Sequence, residues 1–192
     1  MRNSHRSLIA VAALGILSGP AIATADDGAK LGLIATGNLG AGHLFCSSNN
    51  DTDNCAGEDA VNSYSGTLGL GILVTPRFAV FGSIGGAHNL DDNVSLYQVV
   101  ATANARVWPV PRFYLEGGLG LAHSKLTVDA GFLQFEAKSE TVPAVTGAAG
   151  VELVRTPSLA FDVSVRGTTG FYDDDYSLHQ LSIGLGLTFF AH

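Results

Sequence analysis

Charged side chains are scarce in this chain of 192 residues: they make up 14% of it, whereas soluble domains usually carry about 25%. Lysine and arginine number 10 against 17 aspartates and glutamates, which gives a formal net charge of −7. Because a phosphate-binding surface is basic, this balance excludes a nucleic-acid partner. Hydrophobic residues reach 46%, yet they never form the uninterrupted run of roughly 20 that a membrane-spanning helix needs.

Cysteine is almost absent, with two residues in the whole chain. Cys46 and Cys55 lie close together in a polar stretch and lack the Cys-x-x-Cys spacing of a zinc site. In an oxidising compartment such a pair predicts one local disulfide that fixes a loop. The sequence contains no pattern that predicts a cofactor.

The first 25 residues have the three parts of a signal peptide. Arg2 and Arg6 are positive, residues 8–17 are apolar, and Ala23 and Ala25 provide the small-x-small cleavage pattern. We therefore expect residues 1–25 to be removed on export, and residues 26–192 to form one domain.

Apolar residues alternate with small or polar ones through most of that domain. From Gln180 to Phe189, every odd position is apolar and every even position is small or polar. A period of two residues is typical of a strand with two different faces. Eight such strands are predicted, over residues 29–44, 63–75, 78–88, 94–108, 112–124, 136–154, 159–170 and 178–190.

The predicted connections alternate between two kinds. Those after the second, fourth and sixth strands are short and contain proline, which suits tight turns. The others are polar and acidic, and short turns at one end with longer loops at the other are typical of outer-membrane barrels. The acidic loop residues are Asp51, Asp53, Glu58, Asp59, Asp91, Asp92, Asp129, Asp173, Asp174 and Asp175.

Aromatic residues occur near both ends of the predicted strands, as in the two girdles that mark bilayer interfaces. The group by the short turns is Phe78, Trp108, Phe113, Phe189 and Phe190, and the group by the loops is Phe45, Tyr64, Tyr97, Phe171, Tyr172 and Tyr176.

With its signal peptide, a Gly-rich first strand from Gly28 to Phe45, an alternating Gly-rich segment from Tyr114 to Ala122 and its terminal strand, the chain resembles the small outer-membrane barrels of the OmpA/OmpX type. The resemblance covers residues 28–190 and implies an all-β, up-and-down, closed antiparallel transmembrane barrel of about eight strands. It also implies a monomer in the outer membrane of a Gram-negative-type bacterium, surrounded by outer-membrane lipid. The last strand, which ends in Phe189 and Phe190, is similar to the signal that the barrel-assembly machinery recognises.

If the large apolar residues face lipid, the opposite faces of the strands fill the barrel. Charges inside an eight-stranded barrel have little room for bulk water and must pair with one another. We expect a buried cluster, with the arginines between the carboxylates, that fixes the register of the strands. Its members are Arg106, Glu116, Glu152, Asp162 and Arg166.

Histidine and serine offer little support for metal binding or catalysis. His43, His88, His123 and His179 fall at the loop ends of strands, and the parity of the last two predicts that they point outward. Because His123 and Ser124 are adjacent, they lie on opposite faces of a strand and cannot form a nucleophile–base pair. We therefore expect neither a metal site nor an enzyme.

The loops are then the place where function is expected, because barrels carry their specificity there. The sequence predicts a structural, adhesive or protective surface protein, whose loops meet divalent cations or a host or cell-surface partner. One alternative is a narrow pore. Another is a secreted lipocalin-like barrel with a small apolar ligand inside, although such a barrel keeps its large apolar residues inward.

Overall fold

The computed structural model describes residues 32–48, 60–89, 94–130, 133–172 and 176–191. Every element in these ranges is a β-strand. The described residues contain no helix of the length and apolar character needed to cross a membrane. The strands are β1 (Gly32–Ser48), β2 (Val61–Thr75), β3 (Phe78–Asn89), β4 (Val94–Val110), β5 (Phe113–Ala130), β6 (Leu133–Lys138), β7 (Val142–Arg155), β8 (Leu159–Tyr172) and β9 (Tyr176–Ala191).

The strands form one closed barrel in which every pairing is antiparallel. Strands that follow one another in the chain pair with each other, except β6 and β7. Strand β1 closes the barrel by pairing with β9 from Leu33–Ala191 to Ser48–Tyr176. Strands β6 and β7 both pair with β5, so they occupy one position and the barrel has eight. The predicted closed, up-and-down barrel is confirmed.

The sixth position differs from the single strand predicted over 136–154. Residues 139–141 interrupt it, opposite only two residues of β5, so the extra residue makes a bulge. Ser139 satisfies the backbone there, because its hydroxyl accepts from the Ser124 amide at 2.8 Å while its own amide donates to the Ser124 carbonyl at 2.9 Å.

The predicted loop after the fifth strand is also wrong in part. Strand β5 continues to Ala130 and pairs with β6, so Asp129 lies in a strand that extends the barrel beyond the predicted rim. At the opposite end the short proline turns are present. At one of them Pro111 precedes Arg112, whose φ of 69° is the positive value that the third residue of a type II turn requires.

The two faces of the barrel differ as the alternation requires. Large apolar side chains are exposed on the outside: Leu39 and Leu119, for example, are 75% and 70% exposed. The inside is filled by small and polar residues, with apolar layers near the ends. A barrel with this distribution is suited to an apolar surrounding, because its hydrocarbon surface is on the outside.

Glycines on the inner face let neighbouring strands approach closely. A Cβ at Gly120 would overlap the carbonyl oxygen of Ala101 on β4, and one at Gly42 would overlap that of Leu181 on β9. By contrast, a Cβ at Gly117 or Gly82 on the outer face would meet nothing within 4 Å. The crowding is therefore confined to the inner face at these positions.

Candidate functional site

A buried ion network occupies the interior near the short turns. Glu116 on β5 accepts from Arg106 on β4 at 2.8 Å through one carboxylate oxygen, and its other oxygen lies 2.7 Å from Arg166 on β8. All three side chains are buried. The structure thus brings together three of the five predicted residues, with a carboxylate between two arginines, which is the reverse of the expected order.

Arg106 joins opposite walls of the barrel. Its Nη1 donates to the Thr188 hydroxyl at 3.2 Å, and Thr188 lies on β9, four positions from β4 in a ring of eight. The guanidinium also lies over the ring of Tyr114, 4.2 Å from its centroid, and within 6 Å of the Phe81 and Trp108 rings. A cation in this position is stabilised by the ring faces as well as by its carboxylate.

The other two predicted carboxylates have their own partners. Glu152 accepts from the Trp108 indole at 2.7 Å and from Arg155 at 2.9 Å, while Asp162 accepts from the Tyr114 hydroxyl at 2.7 Å. The network therefore contains three carboxylates and three arginines, of which Arg106 and Arg166 are buried and Arg155 is partly exposed at the turn end. Because these charges balance, the network can be buried without a net charge.

Sequence analysis missed several side chains that contact this network, among them Trp108, Tyr114, Thr188 and Arg155. Trp108 and Phe190, which it placed in an aromatic girdle, are 2% and 5% exposed and point inward. Trp108 lies two residues after Arg106 on the same strand, and Tyr114 lies two residues before Glu116. The alternation of the two faces therefore predicts that both point inward. Arg155 had no such signal, because a register shift between Glu152 and Val154 precedes it.

Apolar layers lie on either side of the polar interior. The layer by the turns includes Phe81, Trp108, Tyr114 and Phe190, and its rings of Trp108 and Phe190 have centroids 6.3 Å apart. The layer at the loop end includes Val100, Tyr172 and Leu178, and there Gln98 donates to the Tyr172 hydroxyl at 3.3 Å. Side chains from strands that are not neighbours in the barrel meet at both levels.

The outer rim carries a second group of polar side chains. His179 on β9 lies between Ser47 on β1 and Thr169 on β8, with its Nε2 2.8 Å from the Ser47 hydroxyl and its Nδ1 2.9 Å from the Thr169 hydroxyl. The ring stacks on Phe45, with centroids 5.1 Å apart. His88 forms another pair, with Ser95 at 2.9 Å.

An apolar groove of about 740 Å³ lies on the outer face, next to the His179 group and on the side toward the middle of the strands. His43 and Leu181 form the first pair below Phe45 and His179, and Ala41 and Ile183 form the next. These four residues line the groove together with Tyr64 and Val165.

The remaining predicted site residues are distributed as follows. Ser124 is buried and His123 is on the outer face, so they are separated as expected. Phe189 points outward and Phe190 inward. In the described part of the chain, no three His, Cys, Asp or Glu residues gather as a metal site.

Several predictions lie outside the described residues. They are the signal peptide, Cys55, and the loop acids Asp51, Asp53, Glu58, Asp59, Asp91, Asp92, Asp173, Asp174 and Asp175. Cys46 is not a free thiol, but its pairing with Cys55 stays a prediction.

The height of the apolar surface matches a bilayer. His179 and Phe189 are ten residues apart on the outer face of β9. At about 3.3 Å per residue and a tilt near 40°, this distance corresponds to a band about 25 Å tall, which is the height of the apolar band in outer-membrane barrels. His179 then lies at the bilayer interface on the loop side.

Comparison with known proteins gives a family and, among others, the following two similar structures. The model of the outer membrane protein beta-barrel domain matches residues 9–189. Ail, the attachment invasion locus protein of Yersinia pestis, is 15% identical with a TM-score of 0.54, and covers 81% of this chain and 98% of its own. Neisserial surface protein A is 17% identical with a TM-score of 0.54, and covers 85% and 99%. No curated protein sequence matches. At these identities the similarity to the two structures shows the fold alone, and neither name refers to an enzyme.

Proposed function

We propose, from the premise that this chain belongs to the outer membrane protein β-barrel domain family, that it is a closed, non-conducting barrel that anchors its loops at the cell surface. Its role is structural, adhesive or protective and is carried by those loops. The barrel is monomeric, is exported by its signal peptide, and is inserted by the barrel-assembly machinery that recognises the last strand. Short turns face the periplasm and acidic loops face outward.

The contact between Arg106 and Thr188 is the observation that supports a closed barrel best. It connects two opposite walls through one side chain. The aromatic layer with Trp108 and Phe190 lies beside it. Eight strands leave an interior that side chains can fill, and here the filling is bonded from wall to wall, which disfavours the narrow pore.

The soluble, lipocalin-like alternative does not agree with the family or with the faces of the barrel. A ligand-binding barrel of that kind needs an apolar interior. In the described strands, the middle of the interior carries Asn38, Asn104 and Ser164, and Asn38 donates to Ser164 at 3.0 Å.

Conductance measurements test the closed interior. Refolded wild-type protein is expected to give silent planar bilayers, because side chains join the walls at several levels. An Arg106→Ala/Glu116→Gln/Trp108→Ala variant removes the crossing cation and the largest ring while keeping the interior free of excess charge, and, once its heat-modifiable band shows that it is folded, it is expected to give discrete current steps. A matched control, Leu119→Ala, shortens a lipid-facing side chain and is expected to stay silent. Current steps from the wild-type protein would contradict the proposal.

Cell attachment tests the role of the loops. Replacing residues 49–59 by a Gly/Ser linker of equal length, with Cys46→Ser, is expected to reduce attachment of expressing cells to the level of cells without the protein. The acidic loop is the proposed contact to a host surface, direct or through divalent cations, so adding EDTA to the reference protein separates these two routes.

The matched reference is Cys46→Ser/Cys55→Ser, which keeps the loop sequence and lacks the predicted disulfide. Both proteins must show the same heat-modifiable band in the outer-membrane fraction, because the barrel itself is unchanged. Equal attachment of the two strains would overturn the adhesive role and leave a structural or protective one.

A further inference from the structure

From the outer rim we infer that Ser47, His179 and Thr169 form an acyl-ester hydrolase site for lipids of the outer leaflet. Ser47 is the nucleophile, His179 is the general base, and Thr169 is a positioning residue that holds the ring of His179. The inference goes beyond the proposed function and requires only that the barrel is inserted with its loops outward.

The hydrogen-bond order is that of a nucleophile, a base and an orienting group. Both ring nitrogens of His179 have a hydroxyl partner within 3 Å. With the ring proton on Nδ1 and donated to Thr169, Nε2 is left to accept the Ser47 proton. A nucleophile–base distance of 2.8 Å lies within the range that such catalysis needs.

Three adjacent strands hold this arrangement in place. Thr169 faces His179 directly in the β8–β9 register, and Phe45, which faces His179 in the β1–β9 register, stacks on the ring. Ser47 lies two residues beyond Phe45, on the same outer face of β1. A site on rigid strands keeps its geometry better than one on loops.

The position of the site indicates the class of substrate. His179 lies at the interface on the loop side of a band about 25 Å tall, where the ester bonds of outer-leaflet lipids are found. The apolar groove below it, lined by Ala41, Val165, Leu181 and Ile183 among others, continues toward the middle of the bilayer. A lipid with its ester bond at Ser47 would lay its acyl chain along this groove.

The reaction needs only lipid and water. The Ser47 oxygen attacks the ester carbonyl carbon while Nε2 of His179 takes the hydroxyl proton. The bond to the lipid alcohol breaks, and the alcohol leaves with that proton. Water then attacks the acyl-Ser47 ester by the same steps, which releases a fatty acid and restores the serine.

The other serine–histidine pair on the outer face provides an internal comparison. His88 contacts Ser95 through Nε2, but no contact of its Nδ1 to an orienting group is seen among the described residues. Because an unoriented ring is a poorer base, Ser95 is not expected to react.

The test uses the refolded full barrel in vesicles of phosphatidylethanolamine and phosphatidylglycerol, with and without lipid A. Free fatty acid and lysolipid are measured by mass spectrometry, and reaction with an alkyl fluorophosphonate is mapped by peptide. Label on Ser47 and fatty-acid release are expected, and the vesicle composition that supports release identifies phospholipid or lipid A as the source.

Variants separate catalysis from structure. Ser47→Ala is expected to abolish label and release, and His179→Gln to reduce release by at least about a hundredfold, the usual contribution of a general base. Thr169→Val keeps the shape of the side chain and is expected to shift the pH profile of release. Gly167→Leu fills the space opposite Leu181 and is expected to lower the rate on p-nitrophenyl palmitate relative to p-nitrophenyl acetate.

Two controls complete the design. Ser177→Ala, which faces Ser47 across β1 and β9, and Ser95→Ala are both expected to behave as wild type. A heat-modifiable, bilayer-silent protein that neither releases fatty acid nor takes label at Ser47 would overturn the hydrolase site and leave the proposed function intact. A protein without a heat-modifiable band would instead count against the proposed function.

Discussion

Gly120→Ala is expected to prevent barrel closure, whereas Gly117→Ala, three residues earlier on the same strand, folds like wild type. A methyl group at 120 would overlap the Ala101 carbonyl and lie 2.7 Å from the Thr102 Cα, whereas one at 117 would meet nothing within 4 Å. The atoms in the way belong to the β4 backbone, which cannot move without breaking its own ladder. Overpacking typically costs about 1–3 kcal/mol and occasionally more, and a clash with backbone atoms belongs at the upper end of that range.

The measurement is the fraction of heat-modifiable protein after refolding into vesicles, followed by urea titration. The two variants add the same methyl group to opposite faces of β5, so composition and strand propensity are matched. Equal folded fractions would show that the inner face has room at this position, and that the close approach of β4 and β5 does not limit closure.

Removing one partner of the buried ion network is expected to destabilise the barrel nearly as much as Gly120→Ala. Arg106→Met leaves the interior with one excess negative charge and removes the partner of one Glu116 oxygen. Glu116→Gln leaves one excess positive charge. Removing one partner of a buried pair typically costs about 3–5 kcal/mol, because the other charge stays buried without its partner.

The double variant Arg106→Met/Glu116→Gln restores electroneutrality and is expected to cost less than the sum of the two single changes. The free energy of unfolding in urea gives the coupling directly, and fluorescence of Trp108, the one tryptophan, reports the transition. Additive effects would mean that the two residues contribute separately, Arg106 through the aromatic rings and Glu116 through Arg166.

The alternation of residues was sufficient to predict the barrel. It gave the number of positions, the antiparallel order and the face of nearly every residue, because the face follows from parity alone. Trp108, Tyr172 and Phe190 were wrongly placed in the aromatic girdles because aromatic type was given more weight than parity, and all three are buried. Their inward faces show that girdle composition is a weaker signal than the period of two.

Contacts between strands could not be predicted in the same way. Whether Glu116 meets one arginine or two depends on the stagger and tilt of β4, β5 and β8, and one residue of register changes every partner. The bulge at 139–141 and the extension of β5 to Ala130 have the same origin. Ser47 and His179 are 132 residues apart, so only the closure of β1 on β9 brings them together.

That closure has a consequence for how the protein is made. Strand β1 pairs with β9, as Leu33 does with Ala191, so the barrel can be completed only after residue 191 has been synthesised. Until then an unpaired edge remains, which hydrocarbon does not tolerate. A prematurely terminated chain can never finish, and a periplasmic protease would meet it as an open sheet. The topology therefore allows only chains that contain a complete β9 to form a closed barrel.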